Sequence, residues 1–278
     1  MPYPAKSVRA TLAKYLILPK LIILSWAAPK NRTVAWDRYW AGINRTGAGS
    51  EVLWDSGTDH ELLGYRGVLQ RHFEPGLPVV DVGCGHGGFS RALAAFFPEV
   101  LGVDVSAHAV ARARGESAGV ANVSFLARDM VRPGAGADLT AGTDANVFVR
   151  GVLHVLDQAD QAALLENLRQ VVGKRGRLFL AETNFPGNPV EYVAHLGASA
   201  RNIPAPLELA IRKLPMPGHF GPQELARVMP PDRWTLVEDG AATIETNPQM
   251  DAAGDSRVPG YFAVLRTREP GAEAVRPN

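Results

Sequence analysis

From residue 79 onward, short apolar runs alternate with longer stretches in which apolar side chains recur every three or four positions. The runs are Leu77–Val82, Val100–Val105, Asn122–Leu126, Ala145–Val149 and Arg177–Glu182. Between them Gly88–Phe97, Ala107–Ser117 and Gln158–Val172 carry helical spacing. Five strands and three helices in βα order predict an α/β fold with a doubly wound parallel sheet, because short buried strands need helices on both faces.

The flanks follow other rhythms. Residues 31–72 read as helical, with Trp36 and Trp40 one turn apart, Tyr39 beside them, and breaks near Gly47 and Gly57. Residues 183–230 are Pro-rich and hold two predicted helices, near Val190–Ala200 and Pro206–Lys213. That insertion is too long for a plain loop. Trp234–Glu245 and Gly260–Arg266 read as two last strands. The organisation expected is a helical arm or lid over 1–72, a ligand-binding core over 73–183, a cap over 184–230, the last strands over 231–268 and a frayed tail over 269–278.

Charge changes this picture more than composition does. The 278 residues carry a net +1 and a hydrophobic fraction of 46%, ordinary for a folded chain. That balance argues against a protein that tracks nucleic acid, which needs a large basic excess. The distribution is uneven: residues 1–35 contain Lys6, Arg9, Lys14, Lys20, Lys30 and Arg32 and no acid, so they carry +6 and leave −5 for the rest. Within this basic head Tyr15–Ala28 is largely apolar. Pro19 and Lys20 interrupt it, which disfavours a secretion signal and leaves too short a run to span a bilayer. Residues 12–28 are therefore a helix folded over the protein or a peripheral membrane contact. The single cysteine, Cys84, excludes an internal disulfide and fits a cytoplasmic setting. Arginine outnumbers lysine by 23 to 6, which fits GC-rich coding DNA and a bacterial source.

The chemistry-bearing segment is Val79-Val-Asp81-Val-Gly83-Cys84-Gly85-His86-Gly87-Gly88. Glycines crowded between a strand and a helix let the backbone turn tightly and let a ligand approach closely. Gly83, Gly85 and Gly88 also satisfy the dinucleotide pattern, with Asp104 about 20 positions on. Asp81 separates the two readings. A carboxylate beside a helix N-terminus repels a pyrophosphate and favours a cationic ligand.

Asp81-x-Gly83-x-Gly85-x-Gly87 resembles the first motif of the class I S-adenosylmethionine-dependent methyltransferases. Val100-Leu-Gly-Val-Asp104-Val105 resembles their second-strand motif, Ala127-Arg128-Asp129-Met130 the segment after the third strand, and Asn146-Val-Phe-Val-Arg150-Gly-Val-Leu-His154 the fourth-strand segment. The likeness covers residues 76–183, and the last two strands by topology. It implies a Rossmann-like seven-stranded sheet whose last strand is antiparallel, with the cap inserted after strand five. It also implies S-adenosyl-L-methionine as cofactor, held by Asp81, Gly83, Cys84, Gly85, Gly87, Asp104, Val105, Asp129, Met130 and Arg150. In the family pattern Asp104 takes the ribose hydroxyls, Asp129 takes the adenine amino group and Met130 packs on the ring.

Methyl transfer needs an aligned nucleophile, and an acidic acceptor needs a base. His154 and Glu182, at the carboxyl edge of the sheet, are the catalytic candidates. Trp36, Tyr39, Trp40, His195 and His219 are the substrate candidates in arm and cap; the aromatics read equally as packing. No metal set is evident, and no metal is expected. The function expected is methylation, on oxygen, of a small or medium apolar or aromatic acceptor in bacterial specialised metabolism, by a monomer or homodimer that binds no nucleic acid. Two alternatives stand: the same fold and cofactor in a cyclising or regulatory role, and a nicotinamide-dependent oxidoreductase.

Overall fold

The computed structural model describes residues 14–247 and 256–268. The first 13 residues of the expected arm, including Lys6 and Arg9, and the expected tail at 269–278 lie outside the described residues. The chain divides into two compact units. One takes residues up to Thr58 with Phe185–Pro217 and Ile244–Val258; the other takes Asp59–Asn184, Gly218–Thr243 and Pro259 onward.

The larger unit is built on seven strands: β1 Val79–Val82, β2 Val100–Asp104, β3 Val123–Ala127, β4 Asn146–Arg150, β5 Leu178–Thr183, β6 Trp234–Glu245 and β7 Arg257–Thr267. Their order in the sheet is β3-β2-β1-β4-β5-β7-β6. The first five strands are parallel and β7 runs antiparallel to β5, pairing Leu180 with Ala263. The order reverses between β1 and β4, and doubly wound sheets open a ligand crevice at such a point, beyond the carboxyl ends of the strands. The fold is thus the doubly wound α/β sheet expected from the alternation of runs and periodic stretches, with the antiparallel last strand that the resemblance implies.

The central strands are buried on both faces: every residue of β1 and β5 is buried. One face of the sheet is aromatic. Phe148 of β4 stacks on Phe179 of β5, with ring centroids 5.3 Å apart and planes 6° apart, and Phe179 stacks on Phe262 of β7 at 6.0 Å. Another apolar cluster gathers Val80, Val82, Val147 and Val149 with Leu164, Leu168 and Val172 from helix Gln158–Val172. Asp157 starts that helix by accepting the Asp160 amide at 2.9 Å, which supplies one of the four donors a helix start leaves unmet.

Two boundaries differ from expectation. The helix after the glycine loop ends at Leu93 rather than Phe97. The chain beyond it tightens into three-residue bonds, Ala95 to Ala92 and Phe96 to Leu93, as Pro98 disfavours helical geometry at the residue before it. A helix at Pro222–Val228 was not expected. Proline at its first position and Glu224, which accepts the Gly221 amide at 2.9 Å, are a start signal the sequence does carry.

The smaller unit is helical. Helices Leu18–Ser25 and Arg32–Ala41 both pack on Ala205–Lys213, and the turn Lys14–Ile17 packs on Pro189–His195. A capping box starts Pro189–His195: Asn188 accepts the Glu191 amide at 3.0 Å and Glu191 accepts the Asn188 amide at 3.2 Å. The span predicted helical over 31–72 resolves into Arg32–Ala41 and His60–His72, with no helix between. Gly47, Gly49 and Gly57 take positive φ there, which ends helical geometry. Among the described residues no helix is long and apolar enough to cross a membrane.

Candidate active site

Strand β1 delivers the chain into a loop whose backbone only glycine tolerates. Gly83, Gly85 and Gly87 have φ of 81°, 55° and 80°. A Cβ at Gly83 would stand 2.4 Å from a Val152 methyl, and one at Gly87 2.7 Å from the Phe125 ring. The loop is pinned to β2, since the Gly83 and Cys84 amides both donate to the Val103 carbonyl, at 2.8 and 3.1 Å.

Two carboxylates flank this loop. Asp81 is buried, and Ser90 donates to it at 2.5 Å. Burial pushes its carboxyl up to about 7; the Ser90 bond opposes this and the nearby Asp104 adds to it. Asp104 ends β2, also buried, and accepts the Gly85 amide at 2.9 Å on one oxygen and the Ser106 amide at 2.8 Å on the other. The loop geometry and a pair of adjacent buried acids fit a ligand that carries positive charge and hydroxyl donors. Val105 follows Asp104 and is half-buried. The Cys84 thiol is pushed well above its usual range by burial and then by Asp104 and Asp81, so it is not a nucleophile. His86 Nδ1 lies within hydrogen-bond distance of Glu116 at 3.0 Å, and Arg91 pairs with the same carboxylate at 3.2 Å.

Beyond β3, Asp129 closes a local turn by accepting the Val131 amide at 3.2 Å. Arg128, its neighbour, pairs with Asp138 instead. Met130 is buried within the cluster under the sheet.

At the end of β4, Arg150 forms a two-pronged ion pair with Glu61 of helix His60–His72, at 2.9 and 2.6 Å, and both side chains are buried. Burial alone would lower the Arg150 guanidinium, but Glu61 more than offsets it and holds it above its usual value. Tyr65 donates to the same Glu61 at 3.2 Å, and the Phe89 ring lies 5.3 Å from the guanidinium carbon. Glu61 and Ser90 escape the sequence reading. Glu61 lies 89 residues from its partner and reads as an ordinary first-turn helix acid; its only local signal is Tyr65 one turn on.

Past Arg150 the chain turns through Leu153–Val155. Here Glu182, fully buried at the end of β5, gathers four donors. One oxygen accepts the Val152 and Leu153 amides at 3.0 and 2.8 Å; the other accepts the His154 amide at 3.2 Å and His154 Nδ1 at 2.6 Å. A carboxylate only accepts, so Nδ1 carries the proton, and in the neutral ring Nε2 holds the lone pair. The two catalytic candidates are thereby one dyad at the carboxyl edge, with different roles available to each. His219 is exposed and faces Glu224 at 3.7 Å.

The other substrate candidates belong to the smaller unit. Tyr39 is buried and stacked on Trp54 at 5.4 Å, and it meets Trp36 and Trp40 edge-on at 6.0 and 5.7 Å. Trp40 is also buried, so Tyr39 and Trp40 are packing residues; Trp36 is half-buried. His195 Nε2 bonds the Arg257 carbonyl at 2.9 Å and its ring lies 5.1 Å from Phe185, which fixes it in place. Among the described residues no three His, Cys, Asp or Glu side chains assemble into a metal set.

Comparison with known proteins agrees with this geometry. Residues 79–176 match the family described as a methyltransferase domain. No curated protein matches the chain. Among solved structures, a methyltransferase from Anabaena variabilis described as SAM-dependent shares 24% identity, covering 87% of this chain and 97% of its own at a TM-score of 0.75. A structure solved for the conversion of a disulfide bond into a thioacetal group during echinomycin biosynthesis shares 20%, with 87% and 95% covered and a TM-score of 0.62. Magnesium protoporphyrin IX methyltransferase from Synechocystis, with bound SAH, shares 15%, with 94% and 100% covered and a TM-score of 0.51. At these identities the structures speak for the fold, and the family match speaks for the segment that carries the four motifs. That segment matches a methyltransferase domain, and the fold that holds it is of the Rossmann-like kind.

Proposed function

We propose that the enzyme methylates oxygen on a small or medium apolar or aromatic acceptor, as part of bacterial specialised metabolism, with His154 as the base. The observation that carries this reading is the His154–Glu182 dyad. Glu182 fixes the tautomer and aim of the ring, leaving Nε2 to take a proton from a phenol, enol or carboxylic acid.

S-adenosylmethionine supplies a methyl group already activated on a sulfonium. The protein's own work is then to bind, align and exclude water. Gly83, Cys84, Gly85 and Gly87 offer backbone in place of side chains. Asp104, with Val105 beside it, presents its carboxylate to the ribose diol, and Asp81 balances cationic charge. Asp129 would accept from the adenine amino group, and Met130 would pack on the ring. Arg150, clamped by Glu61 at the end of β4, would border the cofactor. Glu182 is a positioning residue.

Incubation with labelled methyl donor and a panel of phenols and carboxylic acids tests this reading. Transfer to oxygen that is lost in His154→Ala, with cofactor binding intact, is the result expected. Transfer that survives the substitution refutes the base. Cofactor binding with no transfer to any acceptor favours a cyclising or regulatory role.

A further inference from the structure

Helix Leu18–Ser25, with the turn that leads into it, is apolar on two opposite sides. Ile17, Leu21 and Leu24 recur at helical spacing and are buried. Away from them Leu18, Ile22 and Trp26 form a row four residues apart, and Leu16 and Ile23 adjoin it. Leu16, Ile23 and Trp26 are 70%, 65% and 79% exposed. A helix apolar all round is ordinarily buried all round, so large side chains this open call for a further apolar surface.

We propose that this face seats the protein on an anionic lipid bilayer, with the helix lying in the interface. Charge selects that occupant. The first 35 residues hold six lysines and arginines and no acid, and Lys20 lies exposed on the same helix. Anionic headgroups attract such a segment, while Leu, Ile and Trp side chains sink about 5–10 Å into the headgroup and acyl boundary. Tryptophan favours that depth, with an apolar ring and one N–H donor. A second copy of the chain is a poorer occupant, because a two-fold interface would set one basic segment against the other. Eight residues cannot span the bilayer, so the contact is peripheral. This surface stands independently of the acceptor and the base.

Co-sedimentation of the full chain with vesicles tests the proposal, comparing phosphatidylcholine alone with phosphatidylcholine plus phosphatidylglycerol. Binding to the mixed vesicles is expected, weakening as salt shortens the screening length to about 8 Å and below. Replacing the exposed trio, Leu16→Ser with Ile23→Ser and Trp26→Ser, should weaken binding at least about tenfold with the thermal midpoint unchanged. Should that variant fail to fold, Lys20→Glu with Lys30→Glu should abolish the preference for anionic vesicles. Absence of wild-type binding to either vesicle overturns the proposal, as does equal binding by the trio variant. A wild-type dimer in light scattering that the trio variant dissolves overturns it in favour of a second copy.

Discussion

Glu182 accepts the Nδ1 proton of His154 at 2.6 Å while the amides of Val152, Leu153 and His154 crowd the same carboxylate. One buried acid thus sets both the path of the chain after β4 and the tautomer of the ring. Glu182→Gln replaces an acceptor oxygen with a donor facing N–H groups. It should lower stability by about 2–3 kcal/mol in urea unfolding. His154→Gln removes only the ring, and should lower turnover by about 10²–10⁴ with stability and cofactor affinity nearly unchanged.

Asp81 gives the site a pH dependence with a definite sign. Its carboxyl is raised from 3.8 to about 7, so through that window the folded protein binds more protons than the unfolded one. Stability of the cofactor-free protein should therefore fall as pH rises from the ordinary carboxylate range to about 7, then level off. Affinity for a cationic ligand should change the opposite way, rising with pH until about 7, because the ligand favours the ionised carboxylate. Thermal melts across that range check the first trend and calorimetric titration the second; Asp81→Asn should flatten both.

The buried pair Glu61–Arg150 is a case in which one partner alone is worse than none. Glu61→Gln leaves the guanidinium buried and uncompensated, and should cost about 3–5 kcal/mol. Glu61→Gln combined with Arg150→Met should cost much less than the two single losses added together. Chemical unfolding of the four proteins measures the difference.

Gly83→Ala should be costly twice over, through its φ of 81° and through the Val152 methyl 2.4 Å from the new Cβ. The backbone term is about 1–3 kcal/mol. Adding Val152→Ala should recover the contact term and leave the backbone term, which unfolding of single and double variants separates.

How much of this was legible in the sequence depends on the range of the interaction. The strands and the glycine loop are local patterns, so periodicity and spacing place Val79–Val82 through Leu178–Thr183, and with them Asp81 and Asp104. The resemblance supplied what periodicity lacks, the antiparallel β7 and the identity of the cofactor. Long-range pairing stayed invisible. Glu61 meets Arg150 only because helix His60–His72 packs beside the sheet, and no local pattern marks a first-turn glutamate as buried. His154 and Glu182 were each legible as edge residues, but their bond was not, since they stand 28 positions apart with a whole helix between them. The tryptophan-rich arm showed the converse: a helical aromatic stripe fits a lid and a core equally, and only the stacking of Tyr39 on Trp54 assigns Tyr39 to packing.

The central claim is that the loop after β1 and the acids beside it hold S-adenosylmethionine. Calorimetric titration of S-adenosylmethionine into wild-type protein and into Asp104→Ala tests it most directly, with NADH as the contrasting ligand. The account predicts one-to-one binding to wild type, at least about tenfold weaker in Asp104→Ala, and no binding of NADH. Undiminished binding in Asp104→Ala, or binding of NADH in place of S-adenosylmethionine, would contradict it.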